Sequence, residues 1–456
     1  MIALGIILML FAGLSFMSTI HALGLWLAML VTHGVLVLLL GQTGVHLPFY
    51  AGILMTLIIL ARGQWTGVTT NTLLLFGALL VVMIFAAFMG MSLDNSMLSL
   101  LLYIKAFMLA LLIAGCVKNE NDIKVMSLYF LASLLAGALY AIYQYITGTF
   151  TINIYDTQRA AGLRGDPNET AMLFVAGIPV AIYWLMNSTG KIHQLFFTVA
   201  LIFLLVGIVL TGSRGGFVAL IFVMFLIYVR RPTIKLTIVG ILMVVMIGVL
   251  TPVSYWERIN TLITGESEQN ESLDGRKMLF FTGFNMFFQH PILGVGPGNF
   301  GATLVMMSSE SGLSVLSAGF EGVDTGDGKM PVAHNLYLEF FAENGFIAGM
   351  LLLAIFIMSL RFLIYFDREM SHDRQRFGIG LAIALAMAGM LFSGLFLSQG
   401  KNSVLWFLVG LGFAAGQIIS AHKKTKDLVV DRKQNQLIKD DSQKVKNKIS
   451  AGVRLR

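Results

Sequence analysis

PVAHNLYLEFFAENGFIAGMLLL (331–353) opens with polar residues and then becomes wholly apolar. His334 and Asn335 stand at its mouth, and Glu339 and Glu343 follow one and two turns further in. Residues four apart share a helix face, so the two carboxylates line one side of an apolar helix. A helix that starts polar and continues as hydrocarbon marks a membrane boundary. Upstream of it, 254–330 is the one long polar interval in the chain. In both directions beyond, the sequence is a succession of apolar runs.

Those runs decide the class. The chain has 456 residues, of which 57% are hydrophobic and 12% charged, with a mean hydropathy of +0.81. A soluble domain carries about 25% charged residues. Runs of roughly 18–20 apolar residues are long enough to cross about 30 Å of hydrocarbon as helices. They fall near 2–18, 22–40, 47–61, 72–91, 97–117, 125–147, 170–186, 195–211, 214–229, 235–253, 335–360, 377–398 and 402–420. The expected fold is all-α: a polytopic membrane protein of twelve or thirteen helices, with one large external loop between the tenth and eleventh spans. Its organisation reads as N-terminal helices (1–253), the loop (254–334), C-terminal helices (335–421) and a tail (422–456). The opening MIALGIILMLFAGLSF lacks a basic region and a small-residue cleavage site, so it reads as a retained helix. The single cysteine, Cys116, excludes an intrachain disulfide and a cysteine metal cage.

Charge gives the orientation. The net +7 resides in the tail, where residues 422–456 hold eleven Lys/Arg and four Asp/Glu. It reads as a solvated cytoplasmic segment near anionic lipid headgroups. It has no aromatic residue to stack a base, which argues against a nucleic-acid partner. The basic connections Lys118–Lys124, Lys191–His193, Arg230–Lys235 and Arg361–Arg376 alternate correctly if all share the side of the tail. The opposite set is then 92–96, 148–169, 212–213, 254–334 and 399–401, which puts the large loop outside. Within it, 274–289 has helical spacing with Ser272 or Asp274 as N-cap, and Pro291, Gly294, Gly296, Pro297 and Gly298 force a compact turn. The Gly- and Ser-rich 307–330 reads as a mobile stretch, either a lid or an ordinary exposed loop.

Cations gather on that outer side. Arg159 and Arg164 lie in TQRAAGLRGDPNETAMLF, Arg214 in LTGSRGGFVAL at the tip of a tight hairpin, and Arg276 in the large loop. A guanidinium fork suits phosphate, and the glycines of GSRGG let a bulky anion approach the backbone. Several such cations on one face point to a diphosphate ligand; the plainer reading has them snorkel to headgroups or pair with acids. Lys105, in LLYIKAFMLALLIAG, reads as two turns from the external end. It either joins the anion site or neutralises Glu339 or Glu343. His334 precedes a helix, where the dipole favours neutral imidazole, a form that can take a proton from a hydroxyl. The alternative is a cap or surface histidine. GVGPGNF follows no predicted strand and GKS/T is absent, so a nucleotide loop does not fit. Metal ligation by His334, Glu339 and Glu343 lacks a second well-placed histidine.

Together, RAAGLRGDPNETAMLF (159–174), TGSRGG (211–216), GRKMLFFTGFNMFFQHPILGVGPGNF (275–300) and HNLYLEFFAENGFIAG (334–349) resemble the O-antigen ligase/polymerase family of bacterial envelope glycosyltransferases. The order and sidedness of these motifs carry the resemblance. One departure is that Phe280 and Phe281 fill the region where that family usually has Trp or another aromatic. The resemblance implies a metal-independent, cofactor-free transferase at the outer face of the inner membrane. Its donor would be a saccharide on a polyprenyl diphosphate such as undecaprenyl diphosphate. The acceptor would be another lipid-linked repeat unit (a polymerase making O-antigen or exopolysaccharide), lipid A–core of lipopolysaccharide (a ligase), or a protein hydroxyl. Partners would be those substrates, membrane lipids and envelope polysaccharide assembly proteins. On this reading Arg214 and Arg276 hold the diphosphate and His334 activates the acceptor. Asn335, Glu339 and Glu343 orient His334 or the sugar, and Arg159, Arg164 and Lys105 are further anion contacts. A lipid-linked glycan transporter is the rival from another class.

Overall fold

In the computed structural model the described residues are 2–149, 152–154, 157–160, 162, 165–230, 240, 271–310, 331–370 and 377–453. The first ten helices among them are α1 (Ile2–Met17), α2 (Thr19–Val31), α3 (His33–Leu40), α4 (Gln42–Ala61), α5 (Thr70–Phe88), α6 (Leu93–Cys116), α7 (Glu120–Thr147), α8 (Pro167–Asn187), α9 (Lys191–Thr211) and α10 (Arg214–Arg230). Then come α11 (Glu271–Gln289), α12 (Phe300–Glu310), α13 (Leu336–Met370), α14 (Ile379–Ser393) and α15 (Ser403–Val453). A short antiparallel hairpin, β1 (Ile152–Ile154) with β2 (Thr157–Arg159), lies between α7 and α8.

Seven helices are long and apolar enough to cross a membrane: α5 to α9, α13, and Ser403–Leu428 of α15. The chain is therefore a multi-pass α-helical membrane protein. Their ends are chosen by short polar side chains that satisfy otherwise orphaned amides. Ser92 caps α6 at Asn95 N, Asn119 caps α7 at Asp122 N, and Asp166 caps α8 at Asn168 N and Glu169 N. Leu74, Phe85 and Ile221 are exposed on the outside of the bundle, where hydrocarbon would meet them. The core is built on α8, packed among α7, α9, α10 and α14. Gly207 lets α9 close on it, since a Cβ there would lie 2.7 Å from the Phe174 ring.

Several expected elements differ in extent. The run 22–40 is divided at Thr32 into α2 and α3, and the short run 47–61 begins earlier, at Gln42. Ser272 and Asp274 lie inside α11 and so are not its caps, because the helix starts at Glu271. The tail is not an irregular solvated segment: α15 continues through it to Val453, since 417–451 contain no glycine or proline to stop a helix. The span 235–253, the loop start 254–270 and 311–330 of the expected lid lie outside the described residues, with only residue 240 excepted.

Two departures from simple spans position everything that follows. First, α13 is broken at Gly345, whose φ of 75° and ψ of −177° are not helical. A Cβ on Gly349 would come 2.5 Å from the Phe341 ring, although residues eight apart in a straight helix are about 12 Å apart along the axis. The chain thus turns sharply there. The loop after α11 clamps the break: Val295 N and Gly296 N donate to the carbonyls of Ala342 and Glu343, each at 2.9 Å. Phe346 N donates to Pro291 O at 2.7 Å. The Pro/Gly turn is therefore a partner for a broken helix.

Second, α14 has 15 residues, about 22 Å, and stops short of a roughly 30 Å hydrocarbon core. The link that follows, 394–402, stays inside the bundle. Gly400 packs against the Tyr103 hydroxyl, and Trp406 Nε1 donates to Gly400 O at 2.7 Å. Tyr103 lies ten residues, about 15 Å, from the start of α6. Non-helical backbone at such depth is tolerated only when protein covers it.

Candidate functional site

The tip of the α9–α10 hairpin is two residues long. Gly212 takes the left-handed conformation (φ 57°) that ends α9, and Ser213 Oγ accepts from Gly216 N at 3.1 Å to start α10. Arg214 is thereby the first residue of α10, exposed and without a partner among the described residues. Arg159 lies behind this tip. Its Nε donates to Thr211 O at 2.9 Å and one Nη to Asn168 Oδ1 at 3.1 Å. Ser213 Oγ donates to the same Asn168 oxygen at 2.8 Å. The arginine–asparagine–serine latch fixes the hairpin tip to the start of α8. Arg159 is thus engaged with protein, while Arg214 points away from the latch's partners.

His334 stands immediately before α13 with φ 49°, a left-handed conformation uncommon outside glycine. Its neighbours hold it there. Asn335 Oδ1 accepts from Leu338 N at 2.9 Å, so Asn335 is the N-cap. Glu339 Oε2 reaches back to accept from Ala333 N at 3.0 Å. The backbone is therefore pinned on both sides of His334. Glu339 also accepts from the Ser398 hydroxyl, and Asn335 Nδ2 donates to Leu395 O at 3.2 Å. Glu343, four residues on, is buried and accepts from Phe300 N at 3.2 Å. It anchors α12 rather than a ligand-facing surface.

The segment 393–402 joins the two halves. Ser393, Phe396 and Leu397 close a small cavity with Asn168, Ser213, Gly215 and Gly216 on the Arg214 side. Leu395 and Ser398 bond Asn335 and Glu339 on the His334 side. The turn that presents Arg214 and the cap that presents His334 thus bear on one short stretch of chain. Sequence reasoning had taken it for a plain connection. The signal was SQGKNS (398–403), a polar hexapeptide with a glycine and a lysine between two apolar helices.

Other expected residues fall differently. Arg276 lies in the first turns of α11, seven residues before Gly283, which packs against Leu338 and Phe300; its side chain lies outside the described residues. Arg164 lies outside them altogether. Lys105 makes no ion pair with Glu339 or Glu343; its Nζ sits 4.7 Å above the Phe49 ring. It is also deeper than expected, because α6 starts at Leu93 and so places it twelve residues in. The cation whose field reaches Glu343 is Lys401. The arrangement offers a fixed guanidinium and an imidazole at one end of the bundle, backed by protein on every other side. That can hold an anionic group and accept a proton from a neighbouring hydroxyl.

Residues 199–353 match the family model described as O-Antigen ligase. A comparison with curated proteins finds no match.

Proposed function

Because residues 199–353 belong to the O-antigen ligase family of glycosyl-transferring enzymes, we propose that this protein transfers a glycan from polyprenyl diphosphate to an acceptor hydroxyl at the periplasmic face of the inner membrane. The observation that carries the reading is the pairing of Arg214 and His334 across 393–398, both within the matched segment. In the reaction, the acceptor oxygen attacks the anomeric carbon of the donor. The bond from that carbon to the diphosphate oxygen breaks, and its electron pair leaves with the diphosphate. His334 takes the hydroxyl proton. Arg214 and Arg276 stabilise the charge that develops on the leaving group; in a site shielded from water such fixed cations act strongly, and no metal is needed. Asn335 and Glu339 are positioning residues, since they pin the backbone around His334.

The acceptor we favour is a second lipid-linked repeat unit, which makes the protein a polysaccharide polymerase. Ligation to lipid A–core is the second reading, and the description of the family model supports it. The break at Gly345 is a feature shared with transporters, but the family match favours chemistry over transport.

The test is a clean deletion complemented with wild type or His334→Ala, with lipopolysaccharide and secreted polysaccharide resolved by size. Single repeat units accumulating in the variant support polymerisation. Long chains left on polyprenyl diphosphate, with bare core, support ligation. Unchanged glycan pools at normal protein level would refute the transferase reading.

A further inference from the structure

Away from the Arg214 hairpin, α2, α4 and α6 wall a groove of about 690 Å³. Its lining is almost wholly apolar, with Trp26, Phe49, Ile53 and Leu109 among its walls, yet it also contains Lys105 and Lys401. Lys105 lies about 18 Å along a helix roughly 36 Å long, at its middle. Lys401 Nζ sits 5.6 Å over the ring of Tyr103, two residues before Lys105 in α6. Neither lysine makes an ion pair among the described residues.

A lysine at mid-membrane costs about 2.5–3.5 kcal/mol on insertion scales. A cation–π contact returns about 0.5–2 kcal/mol. The remaining cost is removed by an anion, and in an apolar groove the anion that fits is the headgroup of a lipid. One groove with two cations close together takes one chain with one phosphate-bearing head. The groove also lies on a different wall from the hairpin, which packs on α8 and α14. The two are joined by the inner segment: Phe396 touches the hairpin, and Lys401, five residues on, lines the groove. Five residues span at most about 18 Å. The two cationic positions therefore flank the start of α13, where His334 stands.

We propose that this groove holds the polyprenyl phosphate lipid that carries the acceptor sugar, with Lys105 and Lys401 on its phosphate and the chain along α4 and α6. The inference rests on the transferase reading and narrows it, because the acceptor becomes a lipid-linked glycan and not a protein hydroxyl.

The full-length protein in neutral detergent would be titrated with a polyprenyl monophosphate, phosphatidylglycerol or phosphatidylcholine, and retained lipid read by native mass spectrometry. The expected order is polyprenyl phosphate at least tenfold ahead of phosphatidylglycerol, with phosphatidylcholine lowest. Lys105→Met and Lys401→Met should each cut retention of polyprenyl phosphate about tenfold, and Lys105→Arg should keep it. Ile53→Trp, which fills the groove from an exposed position without touching charge, should also abolish retention. In a transfer assay, Lys105→Met should raise KM for the acceptor and leave KM for the donor unchanged. Equal retention of phosphatidylglycerol would make this a bulk-lipid site and overturn the proposal, as would retention indifferent to all the variants. A rise in donor KM would assign the groove to the donor and overturn it too. Absence of transfer by wild type would sink the reaction itself, whereas transfer with an unchanged acceptor KM in Lys105→Met sinks the groove assignment alone.

Discussion

Gly345→Ala is the substitution that most directly probes the broken helix. At φ 75° and ψ −177°, Gly345 occupies a region essentially closed to residues with a Cβ. Forcing alanine into it costs about 1–3 kcal/mol. The added Cβ would also overlap the carbonyl oxygen of Ile292, and the nearby atoms are all backbone. Relieving that overlap moves the clamp and endangers the Phe346 N–Pro291 O bond of 2.7 Å, worth about 0.5–1.5 kcal/mol net. The combined loss is about 2–4 kcal/mol. Gly77→Ala in α5 is the matched control, because a Cβ there meets nothing within 4 Å. Alanine in a helix interior gains about 0.5–1 kcal/mol over glycine. The assay is thermal challenge of the tagged full-length chain in detergent, followed by size-exclusion with fluorescence detection. Gly345→Ala should melt well below wild type, with glycan transfer reduced in parallel, while Gly77→Ala melts at or above it. A Gly345→Ala protein as stable and as active as wild type would mean that α13 can run straight through residue 345. The clamp by 291–298 would then have no structural role.

Asn335→Ala should cost about 1 kcal/mol of stability for the lost cap, and its larger effect should be a fall in kcat for transfer, because the backbone beside His334 is released; a kcat equal to wild type would refute the positioning role. Arg159→Ala and Arg214→Ala should separate cleanly, since one arginine is a latch and the other is exposed. Arg159→Ala leaves Thr211 O and Asn168 without their donor, and loss of such charge-assisted bonds costs about 1.5–3 kcal/mol in thermal stability. Arg214→Ala should stay within about 0.5 kcal/mol of wild type and yet lose transfer; the reverse pattern would exchange their roles.

Much of this was legible because it depends on local chemistry. An asparagine before an apolar helix is a capping residue wherever it occurs, and Asn335 caps. GSRGG between two apolar spans can only be a tight hairpin, and it is one. The Pro/Gly cluster at 291–298 had to turn. The missing pieces are those where tertiary partners override the local pattern. Nothing in AENGFIAGMLLL distinguishes a glycine that breaks a helix from one that packs a helix, since apolar residues continue on both sides. The break exists because amides at 295 and 296 are available to take the carbonyls it frees. Lys105 was misjudged in depth because Leu93–Met97, partly polar, belong to α6 once Ser92 caps it. The 394–402 link read as an external connection because its polar residues suit water equally well. Inside the bundle those same groups are answered by Tyr103, Trp406 and Glu339.

That last exchange has a consequence for catalysis. Two irregular segments lie within the bundle, one entering α13 and one leaving α14, and each supplies what the other lacks. Leu336 N donates to Gly394 O at 2.7 Å, Asn335 Nδ2 to Leu395 O, and Tyr337 Oη to Leu391 O at 2.8 Å. Ser398 answers Glu339. With little water at that depth, parting the two segments would leave several polar groups unpaired at a cost of several kcal/mol each. They must therefore move together or not at all. One carries His334, and the other bears on the turn that presents Arg214. A proton acceptor and an anion-binding cation that cannot drift apart are what in-line transfer between two lipid-borne substrates requires, because misplacement by about 1 Å can cost about a hundredfold in rate. The fold secures that spacing by making each irregular segment the hydrogen-bond partner of the other.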